Sequence, residues 1–245
     1  VAIANPKGGA NKTPTTLMLA AVFARRGGSG VVAWDNNETR GTLGWRSEQG
    51  PHTSTVLDLL PHVEELLDPS ARAGDLARYL HHQPTDRYDV LRSDDAVESD
   101  HEVDADEVDD LHRVLGKYYR LMFIDTGNSE RADNWRAALA HADQLVVPMV
   151  GREDTAEAAA LMLDALHARD EDSQRLAQNA IAIVSQQTPT DQINWIVERF
   201  RPLVKHVVTI PHDPALKAGV IRFDALNRKT QRAWLHAAAA VAGNL

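Results

Sequence analysis

The segment Pro6-Lys7-Gly8-Gly9-Ala10-Asn11-Lys12-Thr13 most narrows what this chain can fold into. It lies between an apolar run at 1–5 and a stretch at 15–26 carrying Leu17, Leu19, Ala20, Ala21, Phe23 and Ala24. The first reads as a buried strand. The second reads as a helix that stops at Arg25-Arg26 and the breaker Gly27-Gly28. A strand, a glycine loop and a helix in that order let backbone N–H groups at the helix N-terminus cradle a phosphate. Lys12 then reaches the β- and γ-phosphates of a nucleotide, and the Thr13 hydroxyl reaches Mg²⁺. Pro6 and Asn11 replace the two glycines of the common GxxxxGK[ST] form. Asparagine is among the residues that best tolerate a left-handed backbone, so Asn11 is expected to hold the turn.

Further apolar runs follow at 31–34, 119–124, 144–149, 180–184 and 206–210. Helical patterns fall at 53–67, 71–81, 134–141, 153–168, 193–200 and 230–241. Strands alternating with helices, each strand nearly all apolar, predict a single α/β domain over 1–245, and together with the glycine loop a P-loop NTPase-like fold. Its sheet is mostly parallel, with helices on both faces. Such sheets bind ligands at the carboxyl ends of their strands. Lys12, Asp35, Asp125 and Pro211 all follow strand-like runs. Of the five tryptophans, Trp34 is placed in the core and Trp45 at an interface.

The absence of cysteine excludes disulfides and thiolate chemistry and suits a reducing cytoplasm. No apolar run approaches the roughly 20 residues needed to span a bilayer. The net charge of −9 hides an asymmetry. Residues 94–110 contain ten acidic residues and no Lys or Arg, and read as a mobile acidic loop. Residues 199–232 contain eight Lys or Arg against two Asp, a net of +6. Nucleic-acid contact depends on such a local basic face and not on the whole-chain charge. The eleven histidines show no ligand spacing that points to one metal site.

Lys7-Gly8-Gly9-x-x-Lys12-Thr13 resembles the deviant Walker A motif of the ParA/MinD ATPase family, with Lys7 in the place of its signature lysine. Asp35-Asn36-Asn37-Glu38-Thr39-Arg40-Gly41 is similar to the family's switch I, and Ile124-Asp125-Thr126-Gly127-Asn128 to its Walker B and switch II. Ala142-Asp143 with Pro148, and later Ile210-Pro211-His212-Asp213, complete the likeness across nearly the whole chain.

The resemblance implies ATP or ADP with Mg²⁺ as ligands, bound through Lys7, Gly8, Gly9, Ala10, Asn11, Lys12, Thr13 and Pro14. Thr13 would ligate Mg²⁺ directly, with Asp35 and Asp125 acting through water. The base would meet Gln186, Pro211 and Asp213, with Gln187 secondary. Lys7, Lys12, Asp35, Asn37, Glu38 and Asp125 form the implied catalytic set. Asn37 stands where relatives carry an aspartate, and an amide accepts no proton at neutral pH. Slow hydrolysis is expected unless Glu38 takes that role. Pro14 has no N–H to offer a phosphate, which predicts weaker affinity.

The resemblance further implies an ATP-dependent homodimer, with Lys7 crossing to the partner's phosphates. The dimer would bind DNA without sequence preference through Arg222, Arg228, Lys229 and Arg232, with Lys205 and Lys217 secondary. A ParB-like centromere-binding protein would regulate it, and it would sit on the nucleoid in the cytoplasm. The role is DNA partitioning, or alternatively a nucleotide-gated positioning scaffold with little hydrolysis. No membrane helix is expected of the Ala-rich segment 230–245, nor an N-terminal helix-turn-helix domain.

Overall fold

In the computed structural model, which describes residues 1–37, 41–94 and 101–245, the apolar runs pair into one eight-stranded sheet. Its strands are β1 (Ala2–Ile3), β2 (Val31–Asn36), β3 (His81–Gln83), β4 (Tyr88–Leu91), β5 (Leu121–Thr126), β6 (Leu145–Val150), β7 (Ile181–Ser185) and β8 (His206–Ile210). Their order is β3-β4-β2-β5-β1-β6-β7-β8. Every neighbouring pair is parallel except β3 and β4. The helices are α1 (Lys12–Gly27), α2 (Val56–Leu59), α3 (Val63–Leu67), α4 (Ala73–Leu76), α5 (Ala105–Tyr118), α6 (Asp133–Ala140), α7 (Glu153–His167), α8 (Glu171–Gln178), α9 (Asn194–Phe200) and α10 (Arg228–Ala242).

Alternation along the strands sorts side chains into layers. Val31, Ala33, Phe123, Val146 and Ile183 face α1 and α10, whose Leu17, Ala21, Trp234 and Val241 complete that core. On the opposite face Val32, Trp34, Leu91 and Ile124 pack beneath α2, α3 and α5. Ala2, Val147, Met149 and Val184 pack beneath α6 to α9. Trp34, placed in the core by its sequence context, is fully buried, whereas Trp45 is 54% exposed. Among the described residues no helix is long and apolar enough to cross a membrane.

Two parts of the sequence reading are corrected. The helices expected over 53–67 and 71–81 are short pieces. Pro61 lies in a 3₁₀ turn, Leu60–His62, between α2 and α3, because proline has no N–H for a continuing helix. The end of the second segment is β3, which forms a hairpin with β4 through a turn in which Arg87 has φ 68°. The acidic stretch is the other correction. Residues 95–100 lie outside the described residues, but 105–110 are the first turns of α5 and not a loop. The Asp104 carboxylate caps that helix by accepting from Glu107 N (2.9 Å), and the Glu107 carboxylate accepts in return from Asp104 N (3.0 Å). Its acidic first turn complements the helix dipole, and Val108, Leu111, Val114 and Leu115 recur at helical spacing on the buried side.

Candidate functional site

The loop between β1 and α1 is pinned at its start by Asn5. This buried amide donates to Pro148 O (2.8 Å) and Thr155 O (3.1 Å) and accepts from Lys7 N (3.0 Å). Gly9 has φ 78° and Asn11 has φ 70°, so Asn11 takes the left-handed turn expected of it. Lys12 opens the helix and Pro14 sits in its first turn. Lys12 is buried, and its Nζ donates to Asn5 O (2.9 Å) and Asn128 Oδ1 (2.5 Å). Lys7 is about half exposed and lies 3.6 Å from Asp154.

Below the loop, β2 and β5 bring two carboxylates side by side. Asp35 and Asp125 are register partners, and both are buried. Thr13 Oγ1 donates to Asp125 Oδ2 (2.6 Å) and lies 3.1 Å from Thr42 Oγ1. Asp35 Oδ2 accepts from Leu43 N (3.2 Å). Gly41 approaches so closely that a Cβ there would lie 2.0 Å from Asp35 Oδ2, so that any larger residue must displace the loop or the carboxylate. Burial pushes the Asp35 carboxyl up to about 6. Burial, and then the charge of Asp35, push Asp125 up to about 7, against the Thr13 bond and Lys12.

This donor set fits a small, hard cation. Two buried carboxylates repelling one another beside a hydroxyl gain from a divalent ion, and Mg²⁺ keeps waters in its remaining positions. Among the described residues no three His, Asp or Glu side chains come together as a metal cluster, so the fit rests on Thr13, Asp35 and Asp125. Asn37 follows β2 and is half-buried; Glu38 lies outside the described residues.

Beside the loop, Asn11, Arg46, Gln186, Gln187, His212, Asp213, Leu216 and Lys217 line a cavity of about 240 Å³. Gln186 Nε2 donates to Asp191 O (3.1 Å). Pro211 follows β8 and is not among the described walls of the cavity. The Asp213 carboxylate lines the space but is committed internally, to Ala215 N (3.1 Å), Asn227 N (2.9 Å) and Asn227 Nδ2 (2.8 Å).

Arg228 and Lys229 occupy the first turn of α10 and Arg232 the next, all exposed and without a carboxylate partner among the described residues. Arg222 is exposed too, and is ion-paired with Glu48. Lys205 precedes β8 at the amino end of the sheet, away from the α10 N-terminus. Lys217 is on the cavity wall. Sequence reasoning named Gly41 and Asn128 only as members of the two switch-like runs, and it missed Asn5, Thr42 and Arg46 as neighbours of the loop. A buried asparagine at the end of an apolar strand, and a glycine six residues after the aspartate that closes an apolar run, are the signals that pointed to two of them.

No family model and no curated protein matches the chain. Several solved structures share its fold. A ParA family ATPase from Chlorobium tepidum superposes with a TM-score of 0.78 at 16% identity, over 97% of this chain and 97% of that one. The septum site-determining protein MinD from Pyrococcus horikoshii, complexed with Mg-ADP, gives 0.75 at 16% identity over 98% and 94%. An ATP complex of McdA from Cyanothece gives 0.67 at 17% identity over 98% and 95%.

Proposed function

We propose that this chain, whose fold is that of the ParA and MinD ATPases, is an ATP-switched member of that family acting in DNA partitioning. The observation that carries the reading is the cluster at the head of α1. There the Thr13 hydroxyl meets buried Asp125 at 2.6 Å, Asp35 lies alongside in register, and Lys12 is held above them. Together they provide a cation and a metal-binding triad where a glycine loop enters a helix.

ATP is the substrate and ADP the product of this reading. Thr13, Asp35 and Asp125 are the residues that would hold Mg²⁺, which would supply neutralisation of charge on the phosphates. Backbone N–H groups of residues 8–13 face the phosphates, and Lys12 leaves Asn128 to reach them. Gln186, Gln187 and Arg46 border the space for the base, and Asp213, just past the end of β8, lines it as well. The triphosphate brings two copies together, and Lys7 exchanges its exposed pair with Asp154 for the partner's nucleotide. A pair this exposed is worth about 0–1 kcal/mol, so the exchange costs little.

The DNA face is α10. Cations in the first turn of a helix oppose its dipole, so Arg228 and Lys229 add nothing to helix stability there. They suit a polyanion, whose phosphates gain from both the side chains and the helix end. A ParB-like partner would regulate the dimer on cytoplasmic, nucleoid-associated DNA.

A nucleotide-gated scaffold with little turnover is the second reading. Asn37 favours it, since its amide accepts no proton, and so does the engagement of Lys12 by Asn128.

Light scattering with Mg²⁺ and no nucleotide, ADP, ATP or a non-hydrolysable ATP analogue tests the switch. Dimerisation with triphosphate alone, lost in Lys7→Ala and Lys12→Ala, is the expected result. An assembly indifferent to nucleotide overturns it. Phosphate release with DNA present then separates motor from scaffold.

A further inference from the structure

Arg152 follows Gly151 at the carboxyl end of β6, and its backbone N–H is tied to Val150 O at 2.6 Å. That tight turn directs its guanidinium back over the phosphate loop. A Cβ placed on Gly9 would lie 3.3 Å from Arg152 Nη1. The absence of a side chain at Gly9 is what lets the guanidinium approach the loop backbone so closely. On its other side Arg152 is held by Asp154, which accepts from Nε at 2.9 Å and also from Nη2. The same carboxylate lies 3.6 Å from Lys7 Nζ. One aspartate thus holds two cations at the mouth of the loop. All three side chains are between 41% and 48% exposed, so neither pair is locked in place by burial.

We propose that Arg152 is a further ligand for the nucleotide's phosphates, held in reserve by Asp154. The proposal rests on the nucleotide-binding reading and adds a residue to it. A guanidinium is a planar fork that stays charged at any working pH and pairs bidentately with carboxylate and phosphate alike. A polyphosphate at the loop offers it more negative charge than one aspartate does, so it changes partner. Pro14 gives the proposal added weight, since it removes one backbone donor from the same end of α1. Arg152 supplies donors that the helix lacks. The triphosphate, with its larger charge, gains more from Arg152 than the diphosphate.

Fluorescent ATP and ADP analogues with Mg²⁺, titrated against the full chain, test this. Arg152→Ala weakens triphosphate binding about tenfold, as expected for loss of a charge-assisted contact, and diphosphate binding less. Arg152→Lys restores part of the loss, because it keeps the charge but not the fork. Asp154→Asn tightens binding by releasing the guanidinium. Lys12→Ala runs alongside as the control for the loop itself. Wild-type binding lost in Lys12→Ala but within twofold in Arg152→Ala overturns this inference alone. A wild-type chain that binds neither analogue overturns the nucleotide reading as well.

Discussion

Asp213 and Asn227 form a pin between the small cavity and the basic helix: both the backbone N–H and the side-chain amide of Asn227 donate to Asp213 Oδ2, at 2.9 and 2.8 Å. Asn227 in turn caps α10 by accepting from Thr230 N (2.9 Å). One asparagine therefore serves the cavity wall and the helix carrying Arg228, Lys229 and Arg232. Asn227→Ala should cost about 1–2 kcal/mol by loss of the cap alone, read from urea denaturation. Under the partitioning reading it should also weaken the effect of ATP on DNA affinity. Equal stability in variant and wild type would sink the first part.

Gly41→Ala tests the approach of the loop to Asp35. With 2.0 Å between the new methyl and the carboxylate, either the loop or the aspartate must move. Overpacking of this kind costs roughly 1–3 kcal/mol. Magnesium-dependent nucleotide binding should fall with it, measured by calorimetric titration with and without Mg²⁺.

The carboxylate pair predicts a pH dependence. Both Asp35 and Asp125 titrate higher in the folded chain than the ordinary carboxylate value, at about 6 and about 7. A raised carboxylate binds its proton more tightly when folded. Its penalty is absent below the unfolded value near ~4 and complete above the folded one. Metal-free protein should therefore lose stability between about pH 4 and 7 from this pair. Asp125→Asn should raise the melting temperature by about 5 °C at pH 8 and leave it unchanged near pH 4. Mg²⁺ competes with those protons, so its affinity should increase as pH rises from about 6 to 8.

Charge reversal separates the basic residues. Under the partitioning reading, Arg228→Glu with Arg232→Glu should weaken DNA binding at least ~tenfold and reduce its salt dependence, measured by anisotropy across a salt series. Arg222→Ala removes an ion pair with Glu48 as well, and should weaken DNA affinity less than the double reversal. Intact binding in the double reversal removes α10 as the DNA face.

Asn128→Ala removes one acceptor of the Lys12 ammonium, 2.5 Å away, and leaves that of Asn5. Nucleotide affinity should rise a few-fold, because the amide oxygen no longer competes with the phosphates for that charge. An unchanged affinity would mean that Lys12 reorients without cost.

The central sheet was legible because β2, β5, β6 and β7 are built from apolar residues on both faces and bounded by polar ones, a pattern that excludes surface strands. The loop and its two aspartates were legible for the same reason, since each follows such a run. The β3–β4 hairpin was not: His81-His82-Gln83 contains no β-branched or apolar residue, and its strand character comes from pairing with β4. Helix α5 was hidden by its acidic first turn, which reads as solvated chain until the buried spacing of Val108, Leu111, Val114 and Leu115 is set beside it. Asn128 stands in the run that follows Asp125, but its bond to Lys12 and the nearness of Arg152 to Gly9 were beyond reach, because both are matters of strand adjacency across more than a hundred residues.

Trp45 gives the chain an optical reporter of its own. It stands more than half exposed next to Arg46, a wall residue of the cavity beside the loop, while Trp34, Trp135 and Trp234 are sealed in the core. Of the five indoles only Trp45 and Trp195 have ring surface to lose when something covers the protein, and Trp195 belongs to α9. In a Trp195→Phe background, a blue shift of the intrinsic emission on adding nucleotide would come from Trp45 alone. Loading and pairing could then be followed in real time, in an unlabelled sample.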